Sequence, residues 1–307
     1  MNKKLALYIS LAIIVIFIIF MVYDTVTRTN VAIDQKVVTL PDEQPEAMWE
    51  IAAELVVSLG DLKAVATTDE GVLIGGDSFI ALYNYDLKPL WSSTLSDPIG
   101  AIAAYGDTIF ASAGETILLF TSEGGQIDEW GPYDDNPLIT SVAAGRDYVA
   151  FADAGDKVVF VLNKAGALVS LVGQPGNQYV VPSPYFDVSI SDDDMLITAN
   201  PGKRNIEFRT IKGEIISYFG EEGAALEYFC GCCNPSHFAF MQGGNLVTAE
   251  KGINRIKIVE PDGELVELVA QPDQFTASVP LDLAVSGKNL IYAANPADSK
   301  LYVFKRK

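Results

Sequence analysis

The feature that most restricts the fold of this chain is a repeat of short apolar segments, spaced about 40 residues apart. One segment of each repeat unit begins at Val72, Thr108, Tyr148, Leu196, Leu246 and Leu290. A further segment follows in each unit and begins at Ile80, Ile117, Val158, Ile206, Ile256 and Leu301. Four short strands in about 40 residues are typical of one β-propeller blade. The repeat therefore predicts an all-β fold, a six-bladed β-propeller.

The clearest repeat unit covers residues 235–269 and contains all four predicted strands. Residues 236–240 and 245–249 flank Gly243-Gly244, and residues 254–259 and 264–269 flank Pro261-Asp262-Gly263. Asp-Gly between two apolar segments predicts a hairpin, because glycine accepts the positive φ of a tight turn. Short apolar segments separated by Gly, Asp and Asn favour strands over helices throughout the repeats.

The sixth unit ends at Lys307 after its third strand and lacks a fourth. Residues 51–59, ahead of the first unit, form a spare apolar segment of suitable length. If this segment completes the last blade, the ring closes and no strand edge is left exposed. We therefore predict one propeller domain over residues 49–307.

The unit at residues 235–263 resembles a blade of the NHL-repeat family. The matching residues are Pro235 and Ala239, then Gly244-Asn245-Leu246-Val247, Asn254-Arg255-Ile256 and Pro261-Asp262-Gly263. Weaker copies contain Asn205-Ile206 and Ser299-Lys300-Leu301, so the resemblance extends over about residues 49–307. It implies a six-bladed propeller but no single function, because such propellers serve as enzymes, ligand binders and docking platforms. Some enzymes similar to this family hold a metal on axial histidines, a site that a chain with one histidine does not reproduce.

The N-terminus predicts a membrane anchor. Residues 5–22 are apolar except for Tyr8 and Ser10. As a helix, this segment is long enough to cross a hydrocarbon layer of about 30 Å. No small-residue cleavage site follows, so we expect a single uncleaved transmembrane helix, and Lys3-Lys4 favour a cytoplasmic N-terminus. Residues 1–24 are then a cytoplasmic stub and anchor, and the polar residues 25–48 a tether. The propeller is expected on the extracytoplasmic (periplasmic or extracellular) side of the cytoplasmic membrane.

The acidic composition of the chain restricts the classes of partner that it can bind. The chain has 307 residues, a net charge of -19 and a pI near 4.3. Such an acidic chain repels phosphate backbones, so no nucleic-acid partner is expected.

All three cysteines and the only histidine lie in one segment, Phe229-Cys230-Gly231-Cys232-Cys233-Asn234-Pro235-Ser236-His237. We name residues 229–237 the Cys/His segment. It connects the predicted outer strand of blade four to the inner strand of blade five, which predicts that His237 lies near the mouth of the central channel. Superposition of the repeats on their leading prolines makes Phe186 and Asp282 equivalent to His237.

Three interpretations of this segment are open. In the first, Cys230, Cys232, Cys233 and His237 supply ligands for a soft metal such as Cu or Zn. Because adjacent cysteines bind one ion only with strain, Cys230, Cys233 and His237 are then the favoured set. In the second, two of the cysteines form a disulfide and one stays a thiol, with Cys230 and Cys233 at redox-motif spacing. In the third, the cysteines only fill space. Attachment of c-type haem is disfavoured, because Asn234 stands where that motif requires histidine.

We predict a membrane-anchored binding or scaffold subunit whose partner is a protein or a larger membrane complex. The alternative is a metal-dependent or thiol-redox enzyme that uses Cys230, Cys233 and His237. A metal enzyme usually needs a general acid or base beside the metal, and the sequence offers only Asp282 and Glu227.

Overall fold

The computed structural model describes residues 13–21, 45–174, 178–275 and 279–307. In these residues 24 strands form six four-stranded antiparallel sheets, which are the blades of a propeller. We number the blades by the order of their inner strands. The predicted all-β, six-bladed propeller is therefore confirmed.

The first strand, β1 (Trp49–Val56), precedes blade 1 in sequence. Blade 1 contains β2 (Leu62–Thr67), β3 (Gly71–Gly76), β4 (Phe79–Asn84) and β5 (Pro89–Thr94). Blade 2 contains β6 (Ile99–Tyr105), β7 (Thr108–Ala113), β8 (Thr116–Thr121) and β9 (Gln126–Trp130). Blade 3 contains β10 (Ile139–Ala144), β11 (Tyr148–Asp153), β12 (Val158–Asn163) and β13 (Leu168–Val172).

Blade 4 contains β14 (Val188–Ile190), β15 (Leu196–Asn200), β16 (Asn205–Arg209) and β17 (Ile215–Phe219). Blade 5 contains β18 (His237–Phe240), β19 (Leu246–Ala249), β20 (Ile256–Val259) and β21 (Leu265–Ala270), followed by a short 3-10 turn at Pro272–Gln274. Blade 6 contains β22 (Asp282–Val285), β23 (Ile291–Asn295), β24 (Lys300–Arg306) and, as its outer strand, β1.

The second and third strands of the blades together form much of the hydrophobic core. Their side chains alternate between the two faces of each sheet, and both faces are covered because a neighbouring blade packs on each side. Strands β3, β15 and β19 are buried along their full length. Outer strands behave differently: β5 and β17 leave most of their residues exposed at the rim. This gradient explains why the second strands gave the clearest repeat in the sequence.

Blade 6 closes the ring by joining the two ends of the propeller. Strand β1 pairs antiparallel with β24, from Trp49 opposite Arg306 to Val56 opposite Lys300. Trp49 is 5% exposed, and its Nε1–H donates to Glu267 Oε2 of blade 5 at 2.8 Å. The predicted closing strand is confirmed, with bounds at Trp49–Val56 instead of residues 51–59.

Much of the predicted anchor and tether, residues 1–12 and 22–44, lies outside the described residues. Residues 13–21 are helical. Within the described part of the chain, no helix is long and apolar enough to span a membrane. The transmembrane anchor therefore stays a prediction. At the end of the predicted tether, Ala47 is buried with Leu226 and Leu268, and Met48 N–H donates to the Leu268 carbonyl at 3.1 Å.

Two truncations test the closure of the ring. Removal of residues 1–44 should leave the propeller folded, because every strand begins at or after Trp49. Removal of residues 1–56 should lower the Tm by roughly 10 °C or more, because β24 loses its partner strand and losing a buried tryptophan alone costs about 3–5 kcal/mol. Thermal unfolding followed by circular dichroism measures both. Equal melting temperatures for the two variants would show that β1 does not close the ring.

Candidate functional site

Three equivalent positions bring one imidazole and two carboxylates together at the mouth of the central channel. Asp187, His237 and Asp282 stand at the start of the inner strands of blades 4, 5 and 6. His237 Nδ1 lies 3.3 Å from Asp282 Oδ1 and 3.9 Å from Asp187 Oδ2. These separations are those of ion pairs. Nδ1 is buried and faces both carboxylates.

Backbone and hydroxyl donors fix both carboxylates. Asp187 Oδ1 accepts from Ser141 Oγ at 2.5 Å and from Val188 N–H at 3.0 Å, and its Oδ2 accepts from Phe238 N–H at 2.7 Å. Asp282 Oδ2 accepts from Val65 N–H at 2.8 Å. Each acid therefore accepts from a neighbouring blade as well. The pair positions His237 and also links blades around the axis.

Burial and charge oppose each other at this site. Burial lowers the pKa of His237, but its contact with Asp282 and the charges of Asp282 and Asp187 outweigh burial, so the pKa lies above the ordinary value of 6.5. Burial raises the pKa of Asp187 to about 6, although His237 and the hydrogen bonds from Ser141 and Phe238 act against it. The site therefore pairs an imidazole whose charged form is stabilised with a carboxyl group that gains a proton under mildly acidic conditions.

A cavity of about 270 Å³ opens beside His237. Its other lining residues are Lys63, Gly100, Ile139, Thr140, Pro184, Tyr185, Val279, Pro280 and Pro296. The Tyr185 ring stands edge-on to His237 with centroids 6.1 Å apart, and Lys251 Nζ lies 4.9 Å from the same ring centroid. An apolar wall with a few polar groups is the usual lining of a binding site. The mouth is therefore the candidate site, and the predicted position of His237 is confirmed.

A larger cavity of about 440 Å³ lies between Thr67, Tyr85, Tyr105 and Lys288. It lies where the inner strands end, on the face of the propeller opposite to the face that bears His237. No histidine or cysteine lines it among the described residues. Size alone is weak evidence of function, so the smaller cavity beside His237 and its two carboxylates is the better candidate.

The Cys/His segment is tied to the propeller on both sides of its cysteines. Gly231 has a φ of +79°, which an L side chain rarely adopts, so glycine suits the turn at this position. Its carbonyl accepts from Arg204 Nε at 2.9 Å. Asn234 accepts from Lys251 N–H at 2.6 Å and donates to the Lys251 carbonyl at 3.0 Å. These bonds fix the backbone at both ends of Cys232–Cys233.

A buried cluster of three charged side chains holds the connection before β18 in place. Glu250, Arg255 and Lys257 are fully buried. Glu250 Oε1 lies 2.7 Å from Arg255 Nη2 and 3.4 Å from Lys257 Nζ, and Glu250 Oε2 accepts from Cys230 N–H at 2.8 Å. Lys257 Nζ also donates to the carbonyls of Leu226 and Tyr228 at 2.7 and 2.6 Å. Burial lowers the pKa of Lys257 to about 8 against the opposing charge of Glu250.

Blade 4 contains a related cluster, which contacts the connection before β14. Arg209 donates through Nε to Glu207 at 2.9 Å and through Nη1 to Gln178 Oε1 at 3.0 Å. Asn200 Nδ2 donates to the Gln178 carbonyl and to Glu207, both at 2.9 Å. Buried polar side chains thus fix the connections before both inner strands that carry Asp187 and His237.

The sulfurs are arranged differently from the favoured prediction. Cys232 Sγ and Cys233 Sγ are 2.8 Å apart, and Cys230 is turned into the buried interior. Among the described residues, the groups of three metal-binding side chains with ligand atoms within 4.8 Å of one another are acidic: Asp134, Asp153, Asp156 and Glu260, Asp262, Glu264. Neither group includes Cys230, Cys232, Cys233 or His237. A Cu or Zn site on those four residues stays a prediction.

Other predictions need correction. Phe186 is not the equivalent of His237, because its side chain is buried against Tyr179 between blades and the next residue, Asp187, faces the mouth. Asp282 is equivalent, as predicted. Glu227 is exposed, and its charge acts on Lys257. The sequence reasoning missed Asp187, Glu250, Arg255 and Lys257, whose only signal was charge inside predicted strands or at their ends.

No protein-family model and no curated protein matches this chain. Streptogramin B lyase superposes with a TM-score of 0.60 at 12% sequence identity, over 86% of this chain and 100% of the lyase. Virginiamycin B lyase from Staphylococcus aureus gives 0.56 at 16% identity, over 84% of this chain and 99% of that one. The WD40 β-propeller domain of Doa1 gives 0.57 at 12% identity, over 80% and 79%. These identities establish the fold alone. NHL membership stays a prediction.

Glu250→Gln tests the buried cluster. The substitution leaves Arg255 and Lys257 in the interior without their counter-charge, so the free energy of unfolding should fall by about 3 kcal/mol. Limited proteolysis between residues 221 and 236 should also become faster. The control is Glu54→Gln, which breaks a solvent-accessible pair with Lys300 and should lower the free energy of unfolding far less. Urea unfolding compares the two variants, and equal losses would contradict a supporting role for the cluster.

NMR of the single histidine tests the electrostatics of the mouth. The imidazole signals should titrate above pH 6.5, and Asp282→Asn should lower the midpoint by removing a stabilising negative charge. Asp193→Asn, in the turn after β14, should leave it unchanged. Because the folded pKa is raised, protonated His237 contributes stability below about pH 6.5 that is lost as the pH rises through that pKa. A midpoint at or below 6.5 would contradict this arrangement.

Proposed function

We propose that this chain is a membrane-anchored extracytoplasmic propeller that binds a protein partner through the face bearing the Cys/His segment. The observation that supports this best is the mouth itself. It combines a cavity of about 270 Å³ and apolar walls with an imidazole that two carboxylates hold in place. Such a cavity accommodates one side chain of a partner.

Exposed apolar side chains on the surrounding connections extend this surface. Leu59, Leu138, Val180 and Tyr228 are 37%, 47%, 42% and 40% exposed. They lie in the connections before the inner strands of blades 1, 3, 4 and 5, on the same face as His237. Apolar side chains around a shaped cavity are typical of protein interfaces. Propellers commonly mediate protein interactions.

The negative charge of this surface indicates which residues a partner presents to it. The connection to blade 5 exposes Glu221, Glu222 and Glu227, and the chain as a whole carries a net charge of -19. A partner with basic residues around an apolar or aromatic side chain is complementary to this surface. The apolar side chain enters the mouth beside Tyr185, and the basic residues lie at its rim.

The anchor places the interaction at a membrane. Residues 5–22 are apolar and follow Lys3-Lys4, which favours an uncleaved helix with the propeller outside the cytoplasm. A tethered propeller encounters membrane proteins at high effective concentration. The partner is therefore a component of a membrane complex.

Site-specific photo-crosslinking in living cells tests this function. A photoreactive phenylalanine analogue replaces Tyr228 on the proposed surface or, as the control, Ile216 on the rim in β17, which is 59% exposed. Position 228 should give a discrete adduct with one protein, and position 216 should not. Adding His237→Gln should reduce the adduct roughly tenfold, as expected for a residue central to an interface.

The location of the adduct tests the anchor. It should sediment with membranes and be digested by protease added from the extracytoplasmic side. Equal adducts from both positions, or an undiminished adduct with His237→Gln, would contradict the docking surface. A membrane-free or protease-protected adduct would contradict the anchor and the orientation.

A further inference from the structure

Cys232 and Cys233 direct their sulfur atoms to the same place, although adjacent side chains of an extended chain point to opposite sides. The two Sγ atoms are 2.8 Å apart. Cys230, by contrast, is 3% exposed, and its N–H is bound to the buried Glu250. The three cysteines therefore divide into an adjacent pair and a single buried thiol.

We propose that Cys232 and Cys233 form a reversible vicinal disulfide, in which Cys232 is the sulfur that exchanges with external thiols and disulfides. This pairing differs from the Cys230–Cys233 pair that sequence spacing favours. The redox site is independent of what the mouth binds, since neither sulfur lines the cavity beside His237.

Accessibility assigns the roles of the two sulfurs. Cys232 is exposed, whereas Cys233 is only 7% exposed. An external disulfide therefore reaches Cys232 first, and Cys233 completes the exchange from the protein side. Cys230 stays reduced because it is buried behind the backbone that Glu250 and Asn234 hold in place.

The oxidation requires an external disulfide, either a small molecule or a protein. The Cys232 sulfur attacks one sulfur of that disulfide, forms a mixed disulfide and releases the first external thiol. The Cys233 sulfur then attacks the Cys232 sulfur, forms the Cys232–Cys233 bond and releases the second external thiol. Two electrons and two protons pass from the cysteine pair to the external disulfide, which becomes two thiols.

Chain geometry makes such a bond reversible. Adjacent Cα atoms across a trans peptide are about 3.8 Å apart, which is below the usual disulfide range of about 4.4–6.8 Å. A strained and accessible disulfide is reduced more easily than a structural one. The backbone cannot relax freely, because Arg204 binds the Gly231 carbonyl and Lys251 binds Asn234.

The pKa of the Cys232 thiol sets the pH dependence of the exchange. The contact with Cys233 raises this pKa, and burial raises it further, while Lys251 acts in the opposite direction. Exchange through Cys232 is accordingly faster at alkaline pH, where the thiolate fraction grows.

Thiol labelling of the purified full-length chain tests the pairing. After incubation with oxidised glutathione, iodoacetamide in denaturant should label Cys230 alone, as located by peptide mass spectrometry. Labelling of Cys232 and Cys233 should fall about tenfold or more relative to the chain treated with reduced glutathione, which should leave all three cysteines labelled.

Three variants separate the roles. Cys230→Ser is the control and should form the disulfide like the native chain. Cys233→Ser should accumulate glutathione on Cys232. Cys232→Ser should form a mixed disulfide at least about tenfold more slowly, because Cys230 and Cys233 are both buried.

Several results would overturn the inference. These are full labelling of all three cysteines after oxidised glutathione, a disulfide that includes Cys230, or faster exchange at Cys233 than at Cys232. Resistance of the bond to reduced glutathione would show a structural disulfide instead of a reversible one. One equivalent of Zn or Cu bound to the reduced chain and lost in Cys230→Ser would show a shared metal site instead.

Discussion

The pairing of β1 with β24 is the interaction on which the remaining structure depends. Each blade packs between two neighbours, so a ring that fails to close leaves one blade with an uncovered face. The pairing runs from Trp49 to Val56 against the last strand of the chain. It fixes the position of blade 6 and thereby of Asp282, which in turn contacts both His237 and the backbone of blade 1. The geometry of the mouth is thus set by the first and last strands.

Within the closed ring, buried charges determine the shape of the long connections. A loop without regular structure has few backbone partners of its own, so its carbonyls need donors from elsewhere. In blade 5 these donors are Arg255 and Lys257, which both pair with Glu250 and bind carbonyls of the connection before β18. Breaking such a cluster is costly because unpaired charge stays in the interior. The position of the cysteines follows from it, since Cys230 N–H is bound to Glu250.

The sequence predicted the fold well because periodic apolar strands and the missing last strand are local signals. It predicted the site only in part. Phe186 was matched to His237 by counting from a leading proline, but blade 4 has one more residue between Pro184 and the mouth position, which Asp187 occupies. Glu250, Arg255 and Lys257 resembled solvent-facing strand residues, because their burial depends on a connection that folds over them. The orientation of the sulfurs depends on loop dihedrals that spacing does not encode.

Blades 4 and 5 use opposite charges at matching positions. Glu207 follows Ile206 in β16 as Lys257 follows Ile256 in β20, and Asn200 corresponds to Glu250. Repeats of similar backbone are often treated as interchangeable modules. The connections before the two blades differ accordingly. Before blade 4, Gln178 accepts from Arg209, whereas before blade 5 backbone carbonyls accept from Arg255 and Lys257. A connection transplanted between the two blades would lose these partners, so this ring has a fixed blade order despite its internal symmetry.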